Sequence, residues 1–108
     1  MLEYIKNLLG LGKRKELLLE AIRKGAYIID VRTPQEYRDG HIQQAVNIPL
    51  ELIAKNADKI KKMDKPVITC CQSGARSGRA ASKLRRKGVP EVINGRGWIS
   101  LKDLIKNA

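Results

Sequence analysis

Cys71-Gln72-Ser73-Gly74-Ala75-Arg76-Ser77 puts a thiol where an apolar run, Pro66-Val67-Ile68-Thr69-Cys70, gives way to a helix-like segment. The small residues of this loop let its backbone N–H groups turn inward. Such a concave array of amides, backed by the positive end of a helix, binds anions and favours thiolate over thiol. Arg76 and Arg79 add fixed positive charge. The chemistry implied is an ionised, nucleophilic Cys71 facing an anionic substrate, with a pKa below that of free cysteine.

The elements that must position this loop alternate between helix and strand. Leu2, Ile5, Leu8 and Leu9 fall at helical spacing, and Gly10 and Gly12 are expected to end that segment. Leu17, Leu18, Ala21 and Ile22 mark a second helix closed by Gly25. Tyr27-Ile28-Ile29-Asp30-Val31 is a continuous β-type run, as for a parallel strand covered on both faces. Pro34 opens a short helix through Tyr37, and Ala45-Val46-Asn47-Ile48 forms a second strand stopped by Pro49. Leu50, Ile53, Ala54, Ala57 and Ile60 read as helix, Val67 to Cys70 as the third strand, and Ser77 to Lys87 as the helix behind the loop. Glu91-Val92-Ile93-Asn94 is the last strand; Gly95-Arg96-Gly97 turns into a C-terminal helix carrying Ile99, Leu101, Leu104 and Ile105. Strands separated by helices imply an α/β fold with a parallel sheet and sites at the carboxyl ends of its strands. Cys71 and Arg32 both stand at such ends.

With 108 residues the chain is one domain with a modest core. Hydrophobic residues at 43% and charged residues at 31% fit a soluble globular protein. No apolar run approaches the roughly 18 residues of a membrane span, and the N-terminus is a poor secretory signal. Two adjacent cysteines cannot staple distant segments, so a reducing, cytoplasmic setting is expected. The formal charge of +11 is concentrated late, with nine basic residues and two acids (Glu91, Asp103) from Arg76 to Ala108. That field suits small anions or an acidic partner protein, or is simply a solvated basic surface. Nucleic acid is disfavoured, because stacking aromatics and binding motifs are lacking.

Asp30-Val31-Arg32-Thr33-Pro34-Gln35-Glu36-Tyr37, followed by Gly40-His41-Ile42 and Ala45-Val46-Asn47-Ile48-Pro49, resembles the N-terminal signature of the rhodanese-like domain. The Cys71 loop with Gly74 and Arg76 resembles that family's active-site loop, and Asn94-Gly95-Arg96-Gly97-Trp98 its Gly-rich, Trp-containing ending. The likeness runs over about residues 14 to 106 and divides the chain into an N-terminal helical extension, 1–13, and a rhodanese-like domain, 14–108. It implies a three-layer fold, with helices on both faces of a central parallel sheet. It also implies a thiosulfate sulfurtransferase working through a Cys71 persulfide. The loop cysteine takes the sulfane sulfur of a small anionic donor, and a thiol or cyanide acceptor removes it. No metal and no organic cofactor is called for. Gln72, Ser73, Gly74, Ala75, Arg76, Ser77 and Arg32 are the implied substrate-binding residues.

Each residue also has a structural role open to it. Cys70 should be the apolar end of its strand, because alternation points it away from Cys71. Arg76 either binds the donor or braces the loop on a carboxylate, and Arg32 either reaches the site mouth or pairs with Glu36. Asp30 and Glu36 read as scaffold, His41 as a hydrogen-bonded turn residue and Trp98 as core. Ser73 and Ser77 either donate to the donor or cap the following helix. Two other functions stay open. One is a persulfide sulfur-carrier or regulatory module docking on a partner protein. The other is a phosphatase or arsenate reductase using Cys70, which has five residues between it and Arg76.

Overall fold

Tyr27–Asp30 forms β1, Val46–Asn47 β2, Val67–Cys71 β3 and Val92–Gly97 β4, and all four pair in parallel in the order β2-β1-β3-β4. The computed structural model describes the backbone from Leu2 to Ala108 and the side chains from Gly12 onward. Helix α1 spans Leu2–Arg23, α2 Pro34–Arg38, α3 Ala57–Lys62, α4 Ala75–Arg86 and α5 Trp98–Lys106. Among the described residues no helix is long and apolar enough to cross a membrane.

Period-two alternation splits the core cleanly. Ile29, Val31, Val67 and Cys71 face one side, where Ile53, Ile60, Ala80, Ala81 and Leu84 cover them. Ile28, Ile68 and Cys70 face the other, against Leu18 and Ala21 of α1 and Leu101 of α5. Every residue of β3 is buried, as expected for a central parallel strand with helices on both faces. The three-layer α/β architecture read from the sequence is the observed one.

Three local expectations are corrected. Gly10 and Gly12 do not break a helix: α1 is continuous from Leu2 to Arg23, and the 13/14 boundary falls inside it. A helical glycine costs only about 1 kcal/mol relative to alanine, and flanking leucines, lysines and arginines are strong helix formers. The periodic Leu2, Ile5, Leu8 and Leu9 side chains lie outside those described. Second, Leu50 to Asn56 forms two 3₁₀ turns rather than the first turns of one helix, and α3 begins only at Ala57. Third, β3 and β4 run further than the sequence pattern suggests. Cys71 is the last residue of β3 and pairs with Gly97 of β4.

That last pairing contains a bulge. Thr69 opposes Asn94 and Cys71 opposes Gly97, so β4 takes three steps where β3 takes two. A Cβ on Gly95 would sit 2.7 Å from the Thr69 carbonyl oxygen and 2.7 Å from Ile68, so β4 needs glycine to close on β3 here. The slack is taken up at Arg96, whose φ of 62° lies in the left-handed region.

Candidate active site

The crevice outside β1 and β3 is where the order of connection reverses, the usual place for a site in such sheets. Cys71 sits at its base, 1% exposed. Its Sγ accepts from the Gly74 N–H at 2.9 Å and from the Ser77 N–H at 3.4 Å, and Ser77 Oγ lies 3.3 Å away. Gly74 makes the turn possible, with a φ of 112° as it precedes α4. A Cβ there would also come within 3.3 Å of the Arg96 side chain.

Burial opposes ionisation of Cys71, yet the pKa is lowered overall, because Ser77, through hydroxyl and amide, and the Gly74 and Ser73 amides all favour thiolate. Hydrogen-bond dipoles are the main source of the lowered pKa, and the charge of Arg76, which also senses Cys71, is a lesser one. Arg79 points to solvent, exposed on α4.

Arg76 is turned to Glu36, with Nη1 to Oε1 at 2.7 Å and Nη2 to Oε2 at 2.9 Å. Glu36 is fixed in turn by a reciprocal cap at the start of α2. The Thr33 N–H donates to Oε1 at 3.0 Å, and the Glu36 N–H donates to Thr33 Oγ1 at 3.2 Å. Donation from Arg76, then from Thr33, holds the Glu36 carboxyl down to about 2. Of the two roles open to Arg76, the structure shows the brace: α2 and the loop are tied by a bidentate pair.

Arg32 pairs with Asp30, not Glu36, and is 2% exposed. Its Nε and Nη2 grip the Asp30 carboxylate at 2.7–3.0 Å, Nη2 also donates to the Gly40 carbonyl at 2.6 Å, and the guanidinium stacks on Trp98 at 4.7 Å. What the structure corrects is the partner, Asp30 in place of Glu36, and these contacts make Arg32 a strut that locks the Gly40 turn and the half-buried Trp98 onto β1. His41 is a turn residue as expected; its Nδ1 is 2.6 Å from the Tyr37 carbonyl and its ring stacks on Tyr37.

Cys70 lies on the opposite face of the sheet from the loop, fully buried. Burial first, and then the Asp30 charge, push its thiol up to about 12. A thiol so placed cannot serve as a nucleophile near neutral pH, which removes the phosphatase-type register counted from Cys70.

Sequence reasoning missed Asn94. Its Oδ1 accepts from Ser77 Oγ at 2.6 Å and from the Arg96 N–H at 2.9 Å, while its Nδ2 donates to the Gly74 carbonyl at 3.3 Å. One side chain thus ties together β4, the bulge, the loop and the hydroxyl beside Cys71. The available signal was an amide placed in the otherwise apolar run Val92-Ile93-Asn94. Gln72 and Ser73 are exposed on the loop, and Ala75 opens α4. Among the described residues no cluster of His, Cys, Asp and Glu is arranged to hold a metal ion.

A parallel three-layer α/β domain with a hydrogen-bonded cysteine at the end of its central strand defines a class of loop-cysteine enzymes and their relatives. Within that class, residues 14–99 match the Rhodanese-like domain, and the chain belongs to this family. The chain is 45% identical over 86 residues to the uncharacterized protein YqhL of Bacillus subtilis, covering 77% of this chain and 68% of that one. To a sulfurtransferase of Allochromatium vinosum it is 40% identical over 72 residues, covering 67% and 66% of the two chains. Among solved structures, a rhodanese with anions from E. coli superposes with a TM-score of 0.63 at 33% identity, covering 68% of this chain and 88% of that chain.

Proposed function

We propose that this protein is a thiosulfate-type sulfurtransferase that carries sulfur as a persulfide on Cys71. The observation that carries the reading is the Cys71 cradle: an amide at 2.9 Å, a second at 3.4 Å and a hydroxyl at 3.3 Å around one sulfur. In the first half-reaction the Cys71 thiolate attacks the sulfane sulfur of thiosulfate. The donor S–S bond breaks, sulfite leaves with the bonding pair, and Cys71 holds a persulfide. In the second, a thiolate or cyanide attacks the outer sulfur and returns Cys71 to thiolate. Two transfers through a covalent intermediate predict ping-pong kinetics.

The residues suit both halves. Thiolate and persulfide are each monoanions, so fixed dipoles stabilise both without reorganising. The first N–H groups of α4, from Ala75 and Arg76, have no intrahelical carbonyl to meet and can serve the outer sulfur. Gln72 and Ser73 supply the exposed rim. Arg76 acts through Glu36 to hold the loop rather than by gripping the donor. Named sulfurtransferases among the relatives support the activity. Both cysteines are free, which suits the reducing, cytoplasmic setting expected of a persulfide carrier. Residues 1–13 we read as an extension of the domain.

The deciding measurement is intact mass after thiosulfate treatment. Wild type gains one sulfur atom, which cyanide removes, and Cys71→Ser gains none. A protein that stays at its starting mass refutes the reading. A second reading, delivery to an acidic partner protein, is favoured by exposed Arg79, Arg86 and Lys87 on and just beyond α4.

A further inference from the structure

A second space lies beyond the Cys71 loop. Gln72 and Ser73 form one wall of a cavity of about 530 Å³ whose other walls come from α1, the β4 bulge and α5. Neither Cys71 nor Gly74 nor Ser77 lines it, and its leucines belong to the Cys70 side of the sheet, so whatever it holds lies apart from the reacting sulfur. Among the described residues its walls carry three cations, Arg14, Lys15 and Arg96, and no carboxylate, and none of the three is in an ion pair. Its floor is apolar, from Leu18 of α1 with Leu101 and half-buried Leu104 of α5.

Positive charge converges here against the local preferences of the chain. Helix α5 opens on the cavity through Gly97 and Ser100, with no side-chain cap and no acidic residue in its first turn. The first amides of a helix and its positive dipole end favour an anion, yet the residue before the N-cap is Arg96. Arg96 occupies the bulge in a left-handed conformation, φ 62°, held by its N–H to Asn94 Oδ1 at 2.9 Å. A bulge re-aims a side chain, and a non-glycine residue in this region is a strain that its surroundings must impose. Arg14 reaches in from α1, its guanidinium donating to the Asn94 backbone carbonyl. Burial, and then the charge of Arg96, lower its pKa, so two like charges are kept close without a counter-charge. An anion seated among these groups offsets each of those costs.

We infer that this cavity is a binding site for a phosphate monoester with an apolar body. Its phosphoryl group is held by Arg14, Lys15, Arg96 and the first amides of α5, and its body covers Leu18, Leu101 and Leu104. Two guanidinium forks, an ammonium and helix amides offer more N–H groups than the two oxygens of a carboxylate can take. A phosphate monoester presents three terminal oxygens and up to two charges, and a helix N-terminus suits it. A bare inorganic anion leaves the leucines uncovered, and the volume falls within the roughly 300–1,000 Å³ usual for small-molecule sites. The site is no part of the proposed sulfurtransfer and stands whether or not that reading does.

The probe is hexyl phosphate, titrated by calorimetry into wild type and Cys71→Ser, with inorganic phosphate and hexanol alongside. Hexyl phosphate should bind the two proteins alike, and more tightly than either inorganic phosphate or hexanol. Affinity should rise about twofold to fourfold per methylene from butyl to hexyl phosphate, the upper value being that of a fully buried CH₂. It should fall about tenfold in Lys15→Gln and in Arg96→Gln, the scale of one lost charge-assisted contact, and be largely kept in Arg96→Lys. Lys15 is exposed, so its variant keeps the fold even where Arg96→Gln disturbs the bulge. No binding, an affinity equal to that of inorganic phosphate, or one unchanged in Lys15→Gln overturns the site. So does binding lost in Cys71→Ser, which would put the ligand in the cysteine cradle. Flotation with phosphatidylcholine vesicles containing phosphatidic acid separates two sources of the same chemistry. Co-flotation lost in Lys15→Gln assigns a lipid headgroup, and hexyl phosphate binding without co-flotation assigns a soluble ester. If thiosulfate leaves no persulfide on Cys71, the proposed function fails, and the hexyl phosphate titration still decides this site.

Discussion

Ser77→Ala tests the cradle at its most informative atom. The Ser77 hydroxyl has one proton and three acceptors within reach: Asn94 Oδ1 at 2.6 Å, the Gly74 carbonyl at 3.1 Å and Cys71 Sγ at 3.3 Å. While Cys71 is protonated, the Ser77 proton goes to Asn94. Once Cys71 ionises, the hydroxyl gains by turning to the sulfur, and Asn94 Oδ1 keeps the Arg96 N–H as its donor. A hydrogen bond to a charged group contributes about 1.5–3 kcal/mol; at the lower bound, deleting it cuts the thiolate population at a fixed low pH about tenfold. The remaining thiolate is more basic and so more nucleophilic, with a Brønsted slope of about 0.4–0.5, which returns roughly threefold. Alkylation of Cys71 by iodoacetamide, located by peptide mapping, should therefore slow about threefold to fivefold on the acid side of its titration. On the alkaline side, where both proteins are fully ionised, the variant should react about threefold faster. Two rate–pH curves that cross are the signature. Curves that superimpose would show that the hydroxyl does not stabilise the thiolate, and curves displaced without crossing would point to altered access.

Three further outcomes follow from the same geometry. Thiosulfate:cyanide turnover should vanish in Cys71→Ser and persist in Cys70→Ser, because the two thiols lie on opposite faces of the sheet; loss in Cys70→Ser alone would reverse the assignment. Glu36 has its folded pKa depressed from 4.5 to about 2, so its pairing contributes stability that is present above the unfolded value and lost as pH falls. Glu36→Gln should then unfold more easily than wild type at neutral pH by about 1 kcal/mol or less, since the pair is one-third exposed. Denaturation curves for the two should converge between those pH values, and a difference that survives at the acid end would be evidence against the ion pair. Wild type should not turn over p-nitrophenyl phosphate, because a phosphoryl group brings three equatorial oxygens that all need donors, whereas the cradle is built around one sulfur; Cys71-dependent phosphatase turnover would refute this.

The sheet was legible because its signal is local. Ile28 and Ile29, Ile68 and Cys70, Val67 and Cys71 sort to the two faces by alternation alone, which is enough to set the two cysteines on opposite faces. What was illegible depends on pairing across the fold. Arg32 has carboxylates at two and four residues' distance, Asp30 and Glu36, and spacing cannot say which it takes. Burial decides: Asp30 sits at 0% exposure at the end of β1 and needs a cation more than Glu36, which has Arg76 and the Thr33 cap. Asn94 is a strand residue by pattern and a site residue by register, since only the pairing with β3 and the bulge bring its amide to Ser77. Gly10 and Gly12 carried a stop signal that their helix-forming neighbours outweigh.

These pairings also explain how so basic a chain builds its site. Two of the arginines around the site are spoken for: Arg32 by Asp30 at 2.7 Å and Arg76 by Glu36 at 2.7 Å. Uncompensated cations this close would hold dianionic thiosulfate, and then sulfite, more tightly than the monoanion that remains on Cys71. Amides and a hydroxyl carry no such bias, because their partial charges act over one or two contacts and do not grow with the net charge of the ligand. Positive charge is instead displaced to Arg14, Lys15 and Arg96, at the border of the loop, where it can draw anions in without fixing them at the sulfur. Raising ionic strength should accordingly weaken the KM for anionic substrates and leave the rate of Cys71 alkylation by neutral iodoacetamide nearly unchanged. Equal salt sensitivity of the two would mean that free charge, rather than the dipoles of Gly74 and Ser77, governs the thiol.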